Sequence, residues 1–178
     1  LEIVFPVAIK AVTADSIHKT ELGALALDLG DLEAVQAAAV DITKRLAAVA
    51  IPVTGFLVQE MVSGREVIAG VREDEQFGPV MVVGLGGVFV EAIGDVAFRL
   101  LPVGADDARE MLGELRGKAL LGAFRGAPPR DVDALIGAIT GLSNLYLDHR
   151  DYMSDLEINP LMVLAEGDGV RAVDVRPG

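Results

Sequence analysis

Close to the C-terminus, the stretch Ser154-Asp155-Leu156-Glu157-Ile158-Asn159-Pro160-Leu161 sets three oxygen-bearing side chains at alternate positions. In an extended conformation Asp155, Glu157 and Asn159 share one face, while Leu156 and Ile158 anchor the other. Pro160 removes a backbone donor and disfavours helix at Asn159, which holds that residue in extended or turn geometry. After the turn signal Glu166-Gly167-Asp168-Gly169 the chain reads Val170-Arg171-Ala172-Val173-Asp174-Val175-Arg176, a returning strand. If the hairpin is symmetric about that turn, Asp174 lies diagonally opposite Asn159 on the same face, close enough for a metal ion to bridge them. One amide and one or two carboxylates, with no imidazole or thiolate, suit magnesium, which uses few protein oxygens and completes its octahedron with water and substrate phosphates. The same residues also fit a solvated edge hairpin with no chemistry.

Two further residues stand out at the other end of the chain. Ile3 to Val12 is a near-continuous apolar run of the buried-strand kind, interrupted by Lys10, and a lysine at the end of such a strand needs an anionic partner. The polar stretch Thr13 to Gly23 reads as a loop and holds His18, one of only two histidines. By itself His18 is an ordinary loop histidine.

The elements that must position these residues follow in order. Gly23 to Leu29 reads as a second strand. Asp31 is the expected N-cap of a helix through Ala50, with Leu32, Val35, Ala39, Ile42, Leu46 and Val49 at helical spacing. Phe56 to Val62 and Arg65 to Val71, around Ser63-Gly64, predict two antiparallel strands bonded to each other. Phe77-Gly78-Pro79 predicts a turn and Val80 to Gly84 a buried strand. Gly84-Leu85-Gly86-Gly87 matches neither GxxxxGK[ST] nor a GxGxxG that opens a helix, so crowded backbone explains it better than a phosphate cradle. Val90 to Ile93 and Val96 to Pro102 predict strands. Helices are expected from Asp106 or Asp107 to Leu121 and from Asp131 to Leu147, as scaffold without a suggestive polar cluster.

Composition bounds the functions. A chain of 178 residues suits one domain or two small lobes, and with 52% apolar but only 4% aromatic residues its core is built from Ala, Val, Leu and Ile. A formal charge of -12, from 27 acids against 15 bases, repels nucleic-acid phosphates and argues against a nucleic-acid partner. The absence of cysteine excludes disulfides and thiolate chemistry and is compatible with a cytoplasmic protein. The longest apolar run, Gly78 to Val90, is too short to span a bilayer, so no membrane role is expected. No signal peptide is visible, and a start without Met, close to a strand, suggests that sequence upstream is missing.

The ordered set of motifs resembles a known family. Pro6-Val7-Ala8-Ile9-Lys10, His18-Lys19-Thr20 with Gly23, Val58-Gln59-Glu60-Met61, Phe77-Gly78-Pro79 with Gly84-Leu85-Gly86-Gly87 and Glu91, and Asp155 to Leu161 with Asp174 occur in family order and spacing. Together they resemble the ATP-grasp domain of ADP-forming acyl-CoA synthetases, relatives of the succinyl-CoA synthetase beta subunit. The resemblance implies an α+β ATP-grasp fold, an antiparallel-rich sheet flanked by helices, with the N-terminal part of the domain missing. Residues 1–55 would be the rest of the first lobe and 56–178 the C-terminal lobe.

The resemblance also implies roles. Lys10 would pair with the phosphates of ATP or ADP, and Gln59, Glu60, Met61 and Val62 would read the adenine edge, Glu60 near the exocyclic amine. Asn159 and Asp174 would hold Mg²⁺, with Glu157 beside the phosphoryl path and Arg99 as a further neutralising cation. His18 would carry a phosphoryl group between ADP and the phosphohistidine of a partner, a CoA-ligase domain or alpha subunit. Ala24 and Leu25 depart from the family, which usually has a second glycine and a valine there. The activity implied is acyl-CoA, phosphate and ADP to acid, CoA and ATP. The other reading is a nucleotide-sensing or acyl-CoA-sensing regulatory module fused to a lysine acetyltransferase domain. On either reading, residues from the two ends of the chain are expected to meet on one magnesium-bound nucleotide.

Overall fold

A computed structural model describes residues 3–13, 22–86, 94–124 and 126–178. His18, Gly87, Glu91 and the strand expected at 90–93 lie outside the described residues. The chain divides into two compact units, Leu1–Val62 and Ser63–Gly178.

In the first unit, strands β1 (Val7–Thr13), β2 (Leu25–Leu29) and β3 (Val53–Glu60) form an antiparallel sheet in the order β2-β1-β3. Helix α1 (Leu32–Ala48) starts as its sequence requires, with the Asp31 carboxylate accepting the Ala34 N–H at 2.8 Å. Ile42 and Leu46 of α1 pack on Ile9 and Ala11 of β1, and Phe56 and Val58 of β3 extend the same apolar surface. Ala50 takes a left-handed conformation just past the helix (φ 58°), and the Ile51 N–H returns to the Leu46 carbonyl at 2.9 Å.

The hairpin expected from Phe56 to Val71 does not form. Strand β3 pairs with β1 from Val7↔Glu60 to Thr13↔Val53, while β4 (Arg65–Asp74) pairs with the strands at Gly78–Leu85 and Asp155–Val163. The two segments serve different cores: Phe56 and Val58 complete the surface under α1, whereas Val67, Ala69 and Val71 belong to the second unit. The division therefore falls after Val62, and not between 55 and 56.

The second unit is built on a six-stranded antiparallel sheet in the order β6-β5-β4-β7-β8 with β9 also on β7. Its further strands are β5 (Gly78–Leu85), β6 (Val96–Leu100), β7 (Asp155–Val163), β8 (Val170–Ala172) and β9 (Val175–Pro177). Helices α2 (Ala105–Glu114) and α3 (Val132–His149), with a 3-10 turn at Lys118–Leu121, cover one face. Met111, Leu135 and Ile139 meet Val67, Val71, Met81, Val83 and Leu156 there in a closed apolar core. The other face of the sheet keeps Phe98 and Leu100 each 55% exposed.

Helix α2 is shorter than its periodicity predicts. It ends at Glu114 because the next N–H groups turn to the buried Asp95 carboxylate, Arg116 at 2.8 Å and Gly117 at 2.9 Å. Its start is at Gly104, whose N–H is taken by Asp107 at 2.9 Å, so the expected cap acts from within the first turn. Helix α3 has the expected cap, Asp131. The architecture is α+β, antiparallel sheets with helices against them, and no described helix is long and apolar enough to cross a membrane.

Candidate functional site

Strand β7 positions the acidic stretch. Leu156 and Ile158 pack toward the core, as alternation requires, and so do Leu161 and Val163. The change of phase is a bulge: Ala69 faces Ile158 but Val67 faces Leu161, so Ile68 opposes both Asn159 and Pro160. The Asn159–Pro160 peptide is cis. The bulge takes Asn159 out of regular register with β4 and leaves it exposed on the face that also holds Glu157. Its amide nitrogen donates to Glu157 Oε1 at 3.3 Å, so the amide oxygen is the atom left to take a cation.

Asp174 lies directly across from Asn159, two positions along the strand from the symmetric pairing that would have set it diagonally. The Asn159 N–H donates to the Asp174 carbonyl at 2.9 Å, and the Val173 N–H donates to the Pro160 carbonyl at 3.1 Å. The returning strand is broken there into β8 and β9, opposite the proline that cannot donate to the ladder. The Asp174 carboxylate is 23% exposed and lies 3.5 Å from the Arg176 guanidinium.

Strand register extends this group across the open face. Arg176, Glu157, Gly70, Val82 and Phe98 form one row, with one residue each from β9, β7, β4, β5 and β6. The row is charged at one end and apolar at the other, and Gly70 leaves its middle bare. A Cβ at Gly70 would stand 3.0 Å from the Leu156 carbonyl oxygen. These five residues and Arg72 line a cavity of about 410 Å³. A cavity with an apolar floor and a few charged groups at one end suits a flat ring bearing an anionic tail.

Among the described residues no three His, Cys, Asp or Glu side chains come together as a metal group. The set here is two carboxylates and an amide, few ligands and all of them oxygens. That donor chemistry fits magnesium, whose other positions go to water and phosphate.

Arg99 is not part of this set. It pairs with Met81, a core residue, so its side chain points to the helical face, opposite Glu157. There its guanidinium forks onto Glu114, with one contact at 3.2 Å, and reaches Glu110 at 3.6 Å. The hydrogen bond to Glu114 holds the guanidinium pKa above, and the carboxylate pKa below, their ordinary values. The expectation that Arg99 faces phosphates is therefore corrected: β6 parity turns it to the helices and two glutamates occupy it.

In the first unit, Lys10 sits on the central strand between Leu25 and Leu57 and is only 8% exposed. Its neighbours Ile9 and Ala11 face α1, so Lys10 emerges on the opposite face, together with Gln59 across from Ala8. Gln59 Oε1 is buried with no hydrogen-bond partner among the described residues. Glu60 turns its carboxylate to the Val4 N–H at 2.9 Å, and the Met61 N–H donates to the Pro6 carbonyl at 3.0 Å. Val62 closes the unit.

Sequence reasoning passed over Arg72, Gly70, Val82, Phe98 and Arg176. For Arg176 a signal existed, since it stands two residues beyond Asp174 and alternation puts both on one face. The row across the sheet had no local signal.

Known proteins match this chain along nearly its whole length. The ATP-grasp domain family matches residues 1–177. The beta subunit of an ADP-forming acetate–CoA ligase II from Pyrococcus furiosus is 35% identical over 98% of this chain and 75% of its own length. An ADP-forming acetate–CoA ligase I from Archaeoglobus fulgidus is 36% identical over 97% of this chain, which spans only 25% of that protein. The dinucleotide-forming acetyl-coenzyme A synthetase 1 of Ca. Korarchaeum cryptofilum superposes with a TM-score of 0.90 in complex with coenzyme A and Ca-AMPCP, at 34% identity over 98% of this chain and 76% of that one. In its complex with coenzyme A and Mg-AMPPCP, where a phosphohistidine segment points towards the nucleotide site, the TM-score is 0.80, at 31% identity over 97% of this chain and 76% of that one. The chain belongs to the ATP-grasp family, as the ATP-grasp domain of the ADP-forming acyl-CoA synthetases.

Proposed function

We propose that this chain binds magnesium-bound ATP or ADP and transfers a phosphoryl group within an ADP-forming acyl-CoA synthetase. The observation that carries this reading is the Glu157–Asn159 pair with Asp174 directly across the strand, where Glu157 also lines a cavity that runs on to Val82 and Phe98. It is supported by a relative solved both with Ca-AMPCP and with Mg-AMPPCP. Asn159, through its amide oxygen, and Asp174 hold the metal, which when bound draws charge from the phosphates. Glu157 orients the Asn159 amide and stands beside the phosphoryl path. In the first unit Lys10, on a buried strand position, supplies a fixed cation for the phosphates. The segment Gln59 to Val62 reads the base. Because the Met61 N–H is committed to Pro6, that reading falls to the other backbone groups of the segment.

His18 is the phosphoryl carrier. In the synthesis direction its imidazole accepts the group from the phosphohistidine of a partner ligase domain or alpha subunit, a nitrogen–phosphorus bond forming as the partner's breaks. A β-phosphate oxygen of ADP then attacks the same phosphorus, and the imidazole leaves neutral. An imidazole suits both steps, being nucleophilic when neutral and a good leaving group from phosphorus once protonated. Positioning and charge neutralisation supply the rest of the catalysis. The overall reaction converts acyl-CoA, phosphate and ADP to acid, CoA and ATP.

The test uses the full-length protein with ATP labelled in its terminal phosphate. Wild type takes up acid-labile label, His18→Asn does not, and Asp174→Asn slows uptake at limiting magnesium. A wild type that takes up no label removes the catalytic reading and leaves a nucleotide-sensing module.

A further inference from the structure

The candidate metal site carries a cation of its own. The Arg176 guanidinium lies 3.5 Å from the Asp174 carboxylate, and strand register sets Arg176 beside Glu157 on the open face. Arg176 is half exposed and lines the same cavity as Glu157, Gly70 and Arg72. A fixed positive charge beside metal ligands opposes a bare divalent cation, because it neutralises the carboxylate that would bind it. It does not oppose a metal that arrives with phosphates, since the phosphates offer the guanidinium a better, bidentate partner.

We propose that Arg176 makes this site selective for metal–nucleotide over free metal. It masks Asp174 by pairing with it, and it releases that carboxylate when a phosphate takes the guanidinium. The inference rests on Asp174 being a metal ligand, so it deepens the functional reading above. Arg176 is then a positioning residue toward the metal and a binding residue toward the phosphates. The side chain is long, and only its head makes the Asp174 contact, so the exchange asks for a rotamer change and no movement of β9.

The test compares two affinities in the full-length protein: Mn²⁺ alone, read from the paramagnetic resonance of the free ion, and a magnesium-bound non-hydrolysable ATP analogue, read by calorimetry. Arg176→Gln should bind Mn²⁺ alone about fivefold more tightly, the order expected for removing one partly exposed charge pair. The same variant should bind the magnesium–analogue complex at least about fivefold more weakly. Arg176→Lys should return the Mn²⁺ affinity to the wild-type value, because the point charge is restored. A purely structural role would move both affinities in the same direction, so a fall or no change in Mn²⁺ affinity in Arg176→Gln overturns the proposal. Asp174→Asn separates the two readings. If it abolishes Mn²⁺ binding while Arg176→Gln has no effect, only the role of Arg176 falls; if it leaves Mn²⁺ binding unchanged, the metal assignment falls with it.

Discussion

Individual side chains in the second unit show how the acidic strand is held in place. Tyr146 of α3 is 1% exposed, and its hydroxyl reaches Glu73 at 2.9 Å and the Ser154 carbonyl at 3.0 Å. Ser154 is the residue before β7, so this contact fixes where the strand with Glu157 and Asn159 begins. Burial, then the hydrogen bond to Glu73, pushes the phenol up to about 12. A raised acid pKa in the folded state means that the proton is held more tightly when folded. The contribution to stability is therefore complete below pH ~10, the ordinary tyrosine value, and is lost as pH rises through about 12. Tyr146→Phe should lower stability at neutral pH by about 1–2 kcal/mol and remove this alkaline dependence, checked by denaturant titrations from pH 7 to beyond the phenol's range. An unchanged alkaline slope in the variant would show that another group titrates.

Helix and turn are joined by one carboxylate. Asp131 caps α3 through the Ala134 N–H at 3.0 Å and also accepts the Gly167 and Gly169 N–H groups, each at 3.0 Å. The turn between β7 and β8 is thus tied to the helix that covers their sheet. These backbone donors, Ala134 first, hold the carboxyl below the ordinary aspartate value. A depressed acid pKa stabilises the fold above the unfolded value near 3.8, and that contribution is lost as pH falls through the folded value. Asp131→Asn keeps one acceptor oxygen but has no charge to lose, so its stability should fall less steeply on acidification below about pH 4 than that of wild type. Parallel acid unfolding curves would refute the clamp's part in acid stability. The N-cap was legible from the sequence, because a cap is read from residues a few positions apart. The clamp on Gly167 and Gly169 was not, since 36 and 38 residues separate the partners.

The two units have separate cores, and each answers for its own strands. Leu46 is fully buried in the core under α1, which among the described residues shares none with the core of the second unit. Leu46→Ala should cost about 2–5 kcal/mol in the first unit. Hydrogen exchange should speed up along β1 and β3 and stay unchanged along β4 and β7. Equal loss of protection in β4 and β7 would mean that the units unfold together. The amino-acid sequence determined what depends on neighbours along the chain: the caps Asp31 and Asp131, the alternation that puts Glu157 and Asn159 on one face, and the motif order that names the family. The tertiary structure decided what depends on strand partners. It sent β3 to β1 and away from β4, turned Arg99 to the helices by pairing it with Met81, and set Arg176 beside Glu157. The physical reason is that side-chain period is a local property of extended backbone, whereas register is chosen by which apolar faces close over which core.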